Sequence, residues 1–266
     1  MRQMVRWTVI APLVLMACGK SEAPAAKADS TPAMPESTAA AAPAAPAAPA
    51  GPQAIVTVIY NQPKSPAAFE KYYAEKHLPL VTSLQSEIGF THAELTKFTA
   101  TLDGKKPTYY RQAELYFNSM DDAKKGMQTE GFKKVGADLK NFATGGLIGL
   151  VAVETGDKSS APCPALVAVI YNQPKDSAAF ESYYSSKHLP LVTSVQSDIG
   201  FNRADLDKFT ANLDGSAPAK YRQAELCFPS MDALKKGMAT DGFKKVGGDL
   251  KNFATGGHVG LVGEQQ

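Results

Sequence analysis

Apolar and polar positions along the chain predict a regular succession of elements. "AIVTVIY" at 54–60 is a short β-branched run of the kind that forms a buried strand, and Asn61-Gln62-Pro63 ends it. Ser65 or Pro66 then opens a helix whose apolar stripe runs through Phe69, Tyr73, Leu80, Leu84 and Ile88, spaced mostly by four or seven. Pro79 falls inside that stretch, so the helix is expected to break or kink just after His77. "FTHAELTKFTATL" and "TYYRQAELYF" read as two strands around the turn Asp103-Gly104, a sound hairpin signal. From Asn118 to Lys140 the pattern is helical and amphipathic, broken at Gly131 and Gly136, and "GGLIGLVAVE" closes as a strand. The order β-α-β-β-α-β is the ferredoxin-like split βαβ unit, α+β in class.

The whole plan then recurs. "VIYNQPKSPAAFEKYY" returns as "VIYNQPKDSAAFESYY", "RQAELYF" as "RQAELCF", and "GFKKVGADLKNFATGG" as "GFKKVGGDLKNFATGG", with His77 matched by His188. Two long copies mean duplicated domains rather than a solenoid. They occupy 54–154 and 165–266, joined by a short polar linker at 155–164. Helices cover one face of such a sheet and leave the other bare. The two sheets are therefore expected to pack on each other as an intramolecular dimeric α/β barrel.

The first 53 residues follow a different logic. Arg2 and Arg6 flank "WTVIAPLVLMA", an apolar stretch of signal-peptide length that is too short to span a bilayer. Leu15-Met16-Ala17-Cys18 resembles a bacterial lipobox. The resemblance implies removal of a signal peptide, 1–17, and acylation of Cys18 by several chains, which anchor stably where one would be marginal. Gly19, where an Asp would signal inner-membrane retention, points to the periplasmic face of the outer membrane. The alternatives are an ordinary secretory signal with a chance cysteine, or an apolar core segment. Residues 18–53 are Ala/Pro-rich, including "AAPAAPAAPA", and read as a disordered, semi-extended tether. A net charge of +2, with lysines paired along helical faces, gives no basic stripe for a nucleic acid.

The run "VIYNQPKSPAAFEKYYAEKHLPLV", with "DLKNFATGG" near the domain end, resembles EthD domains of the dimeric α/β-barrel superfamily. The resemblance implies a pocket between sheet and helices, a small organic ligand or substrate, and an oxidoreductase-type role. The superfamily also holds cofactor-free monooxygenases, lactone isomerases, polyketide cyclases and haem enzymes, so fold alone does not fix the reaction. Duplication, lipidation and export depart from the usual pattern, and export separates the chain from the cytoplasmic nicotinamide pool.

His77 and His188 are the leading candidates for acid/base work. His77 shares an inward helix face with Tyr73, as His188 does with Tyr184, and an imidazole can exchange a proton near neutral pH. The competing reading has His77 donating to a backbone carbonyl freed by Pro79 and packing under Tyr73. Alternation in "YYRQAELYF" places Ala113, Leu115 and Phe117 under the helices. It turns Tyr110, Gln112 and Glu114, with Tyr221, Gln223 and Glu225, into the barrel. Glu114 and Glu225 are candidate bases raised by burial, or halves of Glu–Arg or Glu–Tyr pairs that seal the interface. Tyr60 and Tyr171, at strand ends, either offer hydroxyls to a ligand or simply pack.

No cofactor is evident. The four histidines lack ligand spacing, no CxxC, HExxH or haem motif occurs, and no Gly-rich phosphate loop follows the first strand. Cys163 and Cys227 occur only in the second copy; their counterparts in the first are Pro52 and Tyr116. In this fold their strands are antiparallel neighbours, so a disulfide is expected if the chain is exported, against two free thiols. The copies also differ at Thr91/Asn202, His92/Arg203, Tyr109/Lys220 and Leu147/His258, which leaves open whether both pockets work. Three readings remain: an enzyme acting on a small organic molecule, a tethered module that binds a small ligand, and a structural lipoprotein.

Overall fold

In the computed structural model the described residues are 53–156 and 161–266; the signal-like start, Cys18 and the Ala/Pro-rich stretch lie outside them. Repeat one runs β1 (Ala54–Asn61), α1 (Pro66–Tyr72), α2 (Leu78–Ser83), α3 (Gln85–Ile88), β2 (His92–Thr101), β3 (Tyr109–Phe117), α4 (Met120–Gln128), α5 (Glu130–Asp138) and β4 (Leu147–Glu154). Repeat two runs β5 (Ala165–Tyr171), α6 (Ser177–Tyr183), α7 (Leu189–Ser194), α8 (Gln196–Ile199), β6 (Arg203–Asn212), β7 (Arg222–Phe228), α9 (Met231–Ala239), α10 (Asp241–Asp249) and β8 (His258–Gln265).

The eight strands close into one antiparallel barrel in the order β1-β3-β2-β8-β5-β7-β6-β4. Its seams join the repeats: β2 pairs with β8, Lys97 opposite Glu264, and β4 pairs with β6, Val153 opposite Lys208. Closure leaves neither sheet with an open edge. The bare faces become the barrel interior, where Ile55, Phe98 and Leu150 of repeat one meet Leu166, Ile170 and Phe209 of repeat two. The helices lie outside, over separate apolar clusters in each repeat.

Three local expectations are corrected. The first helix does not break at Pro79. Residues Tyr73–His77 form a π-helical turn in which the Leu78 N–H donates to the Tyr73 carbonyl, and α2 follows with Pro79 in its first turn. At that position a missing N–H costs no helical bond. The second helical region breaks at Thr129 rather than at its glycines. Thr129 is extended, with ψ 155, and its hydroxyl accepts from the Phe132 N–H, so it caps α5 while Gly131 and Gly136 lie inside that helix.

Tyr110 is the third correction. Tyr60 pairs with Arg111 and Asn61 with Tyr109, so Tyr110 is the extra residue of a β-bulge. It turns to the helix side, packs on Phe69 at 5.1 Å and donates its hydroxyl to Glu70 at 2.6 Å. Tyr221 does the same with Phe180 and Glu181. Beyond the bulge the alternation resumes, and Gln112, Glu114, Gln223 and Glu225 are buried inside the barrel. Cys163 and Cys227 are joined by a disulfide with their Cα atoms 4.8 Å apart. It fastens the segment leading into β5 to strand β7.

Candidate functional site

The barrel interior is filled by buried side chains, and on the other face of the sheet, beneath the helices, each repeat holds a cavity. The cavity of repeat one, about 440 Å³, is walled mainly by Val56, Val58, Leu78, Val81, Leu95 and Leu115, with Tyr60, Tyr73 and His77 supplying polar atoms. Its counterpart in repeat two, about 500 Å³, has Tyr171, Tyr184 and His188 in the same places. Both volumes fall in the range of small-molecule sites.

The π turn sets the histidine. Its wider turn advances the chain by a smaller angle per residue than an α-helix does, and the His77 ring stacks on Tyr73 at 5.6 Å and lies 4.6 Å from Phe142. Its Nδ1 meets Asp138 Oδ2 at 2.8 Å. Asp138, the last residue of α5, is fixed in turn: Tyr72 donates its hydroxyl to Oδ1 at 2.7 Å and Asn141 donates to the same oxygen at 2.9 Å. Repeat two reproduces the set as His188, Asp249, Tyr183 and Asn252.

The electrostatics decide the tautomer. Burial pushes the His77 pKa below its usual value, and the Asp138 carboxylate, which acts the other way, does not restore it. Burial also acts to raise Asp138, but hydrogen bonds from His77, Tyr72 and Asn141 outweigh it and hold its pKa low. At neutral pH this is a neutral imidazole beside a carboxylate. An ionised carboxylate only accepts, so Nδ1 carries the proton and Nε2 is left with a free lone pair. His77 therefore bonds to a carboxylate and not to the backbone carbonyl expected near Pro79.

The tyrosines complement it. Burial raises the phenol pKa of Tyr60 and Tyr73, so both stay protonated donors. The Arg111 guanidinium sits 5.0 Å from the Tyr73 ring centroid and acts against that rise. Arg111 is itself locked by Glu70, at 2.6 Å, and by Gln266 at the far end of repeat two, at 2.6 Å. Burial pushes the Glu70 carboxyl up, but bonds from Arg111, Tyr110 and Lys97 outweigh it and bring the pKa down to about 2.

The structure thus brings Tyr73 with His77, and Tyr184 with His188, to one cavity each. Glu114 and Glu225 lie on the opposite face of the sheet. Their partners are amides, Gln223 Nε2 to Glu114 at 3.2 Å and Gln112 Nε2 to Glu225 at 3.0 Å, rather than an arginine or a tyrosine. Sequence reasoning missed Asp138 and Asp249. Their signal was present: an acid recurs at the same distance from each histidine, inside the repeated "DLKNF". Among the described residues no group of three or more His, Cys, Asp or Glu could hold a metal ion.

Two of the non-equivalent pairs, Thr91/Asn202 and His92/Arg203, line the cavities. In repeat one His92 stacks on Tyr116 at 4.3 Å. In repeat two Arg203 replaces it and is bound to Glu94 at 2.7 Å and to Asp205 at 2.8 Å, which ties the rim to repeat one.

Comparison with known proteins agrees with this geometry. The family model of the EthD domain matches twice, over residues 61–146 and 172–257. An uncharacterised 11.0 kDa protein in the thcB-thcC intergenic region of Rhodococcus erythropolis is 38% identical over 92 residues, covering 35% of this chain and 85% of that one. Among solved structures, an anthrone oxidase-like protein superposes with a TM-score of 0.54 at 13% identity, covering 81% of this chain and 91% of its own. A monooxygenase assigned by similarity, from Fusobacterium nucleatum, gives 0.50 at 14% identity over 80% and 92%. At such identities these two likenesses speak to the fold, and they span both repeats. The chain belongs to the EthD family, as a tandem pair of its domains closed into one barrel.

Proposed function

We propose that each cavity binds a small, largely apolar organic molecule and moves a proton on it, with His77 and His188 as the bases. The observation that carries this reading is the Asp138–His77 contact at 2.8 Å, repeated as Asp249–His188, at the wall of an apolar cavity. Nε2 would take a proton from an acidic C–H or O–H of the ligand, and the electron pair would stay on the ligand as an enolate or phenolate. The imidazolium so formed is stabilised by Asp138, and the new oxyanion can accept from the Tyr73 or Tyr60 hydroxyl. Returning the proton to another atom isomerises the molecule; an oxidation of the family's type needs a separate acceptor such as dioxygen. The competing reading is a binding module that uses the same cavity without turnover.

Anthrone, after which one fold neighbour is named, has an acidic methylene and suits a direct test. The full chain is incubated with anthrone in deuterated buffer under nitrogen, and exchange of the methylene protons is followed by NMR. General-base assistance is worth about 10²–10⁴-fold, so the His77→Gln/His188→Gln pair should lose at least about 100-fold while anthrone affinity persists. Equal exchange by wild type and the double variant would remove the histidines from the chemistry. Binding with no accelerated exchange in wild type would favour the binding module.

We further propose that the body is exported and held by lipid on Cys18, at the periplasmic face of the outer membrane. The basic flank, the short apolar stretch and Leu15-Met16-Ala17-Cys18 support this. Labelled palmitate should enter the wild-type chain and not Cys18→Ser.

A further inference from the structure

In each cavity the histidine and tyrosines come from one repeat and part of the wall from the other. Among the described residues, Leu213 is the one residue of repeat two that lines the cavity of repeat one. It stands just before the turn Asp214-Gly215 at the end of β6. Its N–H donates to the Gly149 carbonyl at 3.1 Å, docking the hairpin tip on β4 of the other repeat. The side chain lies so close over Gly149 that a Cβ there would collide with it. From that seat it packs among the helix-side apolar residues of repeat one, with Val81, Leu115 and Phe132 in the same cluster.

The mirror arrangement holds in repeat two. Leu102 precedes no more than Asp103-Gly104 of its own turn, donates its N–H to the Gly260 carbonyl at 3.2 Å, and covers that glycine. It lines the second cavity and packs with the cluster around Leu191, Val192 and Leu226. Both glycines are thereby explained by a close approach rather than by backbone conformation.

We infer that Leu213 and Leu102 are specificity-determining residues that set, from across the barrel seam, the size of ligand each cavity accepts. The inference rests on the reading of these cavities as sites for small apolar molecules. It assigns the two properties of each site to different repeats: the Asp–His pair and tyrosines decide which polar atom is handled, and the neighbour's leucine decides how much apolar body fits behind it.

The test uses the full chain and a series of 4-n-alkylphenols, methyl to octyl, by isothermal titration calorimetry. Wild type should bind two per chain, with affinity rising with chain length to a limit. In Leu102→Ala/Leu213→Ala that limit should move to longer members, with about a fourfold gain in affinity for each methylene newly accommodated, the value of one buried CH₂. Leu213→Trp alone should fill one cavity and reduce the stoichiometry from two to one. A double-alanine variant with wild-type circular dichroism and an unchanged length limit would overturn the inference. So would a folded Leu213→Trp that still binds two. Failure of wild type to bind any alkylphenol would overturn the apolar-site reading and the wall with it. A shifted length limit in a protein whose histidine variants still exchange anthrone normally would uphold the wall and remove the proton-transfer reading alone.

Discussion

The acids inside the barrel make a quantitative prediction. Glu114 and Glu225 are each about 1% exposed, as is Asp207, whose Oδ1 has no protein partner. Burial, reinforced by the charges of neighbouring carboxylates, raises all three pKa values well above the usual range. The groups that face them are Glu94, Glu154, Asp205, Tyr116 and Arg203, and the single guanidinium is already bound to Glu94 and Asp205. The fold therefore keeps protons that the unfolded chain releases, and stability must fall as pH rises. Each retained proton contributes a slope of about 1.4 kcal/mol per pH unit.

The relevant window lies above pH 6.5. His77 and His188, with lowered pKa values, add stability as pH rises toward 6.5 and nothing more beyond it. Glu70 and Glu181, at about 2, contribute a constant amount throughout. Glu114→Gln/Glu225→Gln keeps an acceptor for the Gln112 and Gln223 amides and replaces a carboxylic O–H by an N–H. Urea unfolding followed by circular dichroism from pH 6.5 to 8.5 should give a falling stability in wild type. The double variant should lose up to about 1.4 kcal/mol per pH unit of that slope for each proton the two glutamates no longer retain, and it should be the more stable protein at the upper end of the window. A wild-type stability that rises across this window, or identical slopes in the two proteins, would refute the reasoning.

Other outcomes follow from single contacts. Asp138 raises the His77 pKa against burial, so Asp138→Asn should lower it further; an upward shift in an NMR titration of the ring Cε1 proton would contradict the pairing. Gly149→Ala drives a Cβ into Leu213 and should cost about 1–3 kcal/mol in thermal unfolding. Gly136→Ala, in a helix with open space beside it, should gain up to about 1 kcal/mol, and the reverse order of the two would be decisive against this packing. Replacing Cys163 and Cys227 by Ala should cost about 2–4 kcal/mol, a difference from wild type that reductant must erase.

Much of the architecture was legible because it is periodic. The strand order, the duplication and the inward turn of Gln112 and Glu114 all follow from alternation and self-similarity. What stayed hidden depends on one residue more or less, or on groups far apart in the chain. Tyr110 sits where a bulge shifts the count by one, and no propensity in "TYYRQ" announces it. Pro79 predicted a break, yet the chain absorbs its missing N–H with one wider turn, which is what carries His77 against Phe142. Asp138 is 61 residues from His77, and only folding puts the carboxylate on the ring. Leu213 reads as an ordinary residue before a turn until the barrel closes and delivers it to the other repeat.

The seams between β2 and β8 and between β4 and β6 carry a consequence for how this protein can evolve and work when scarce. In a barrel made from two separate chains those pairings would be governed by mass action, and dilution would dissolve both sites at once. Here they are intramolecular, so the barrel forms at any concentration and at a rate independent of how many copies are present. One gene now encodes both halves without a symmetry constraint. A change such as His92 in one half and Arg203 in the other can therefore be kept on a single rim, while the leucine that each half lends to its neighbour holds the two sites to a common closure.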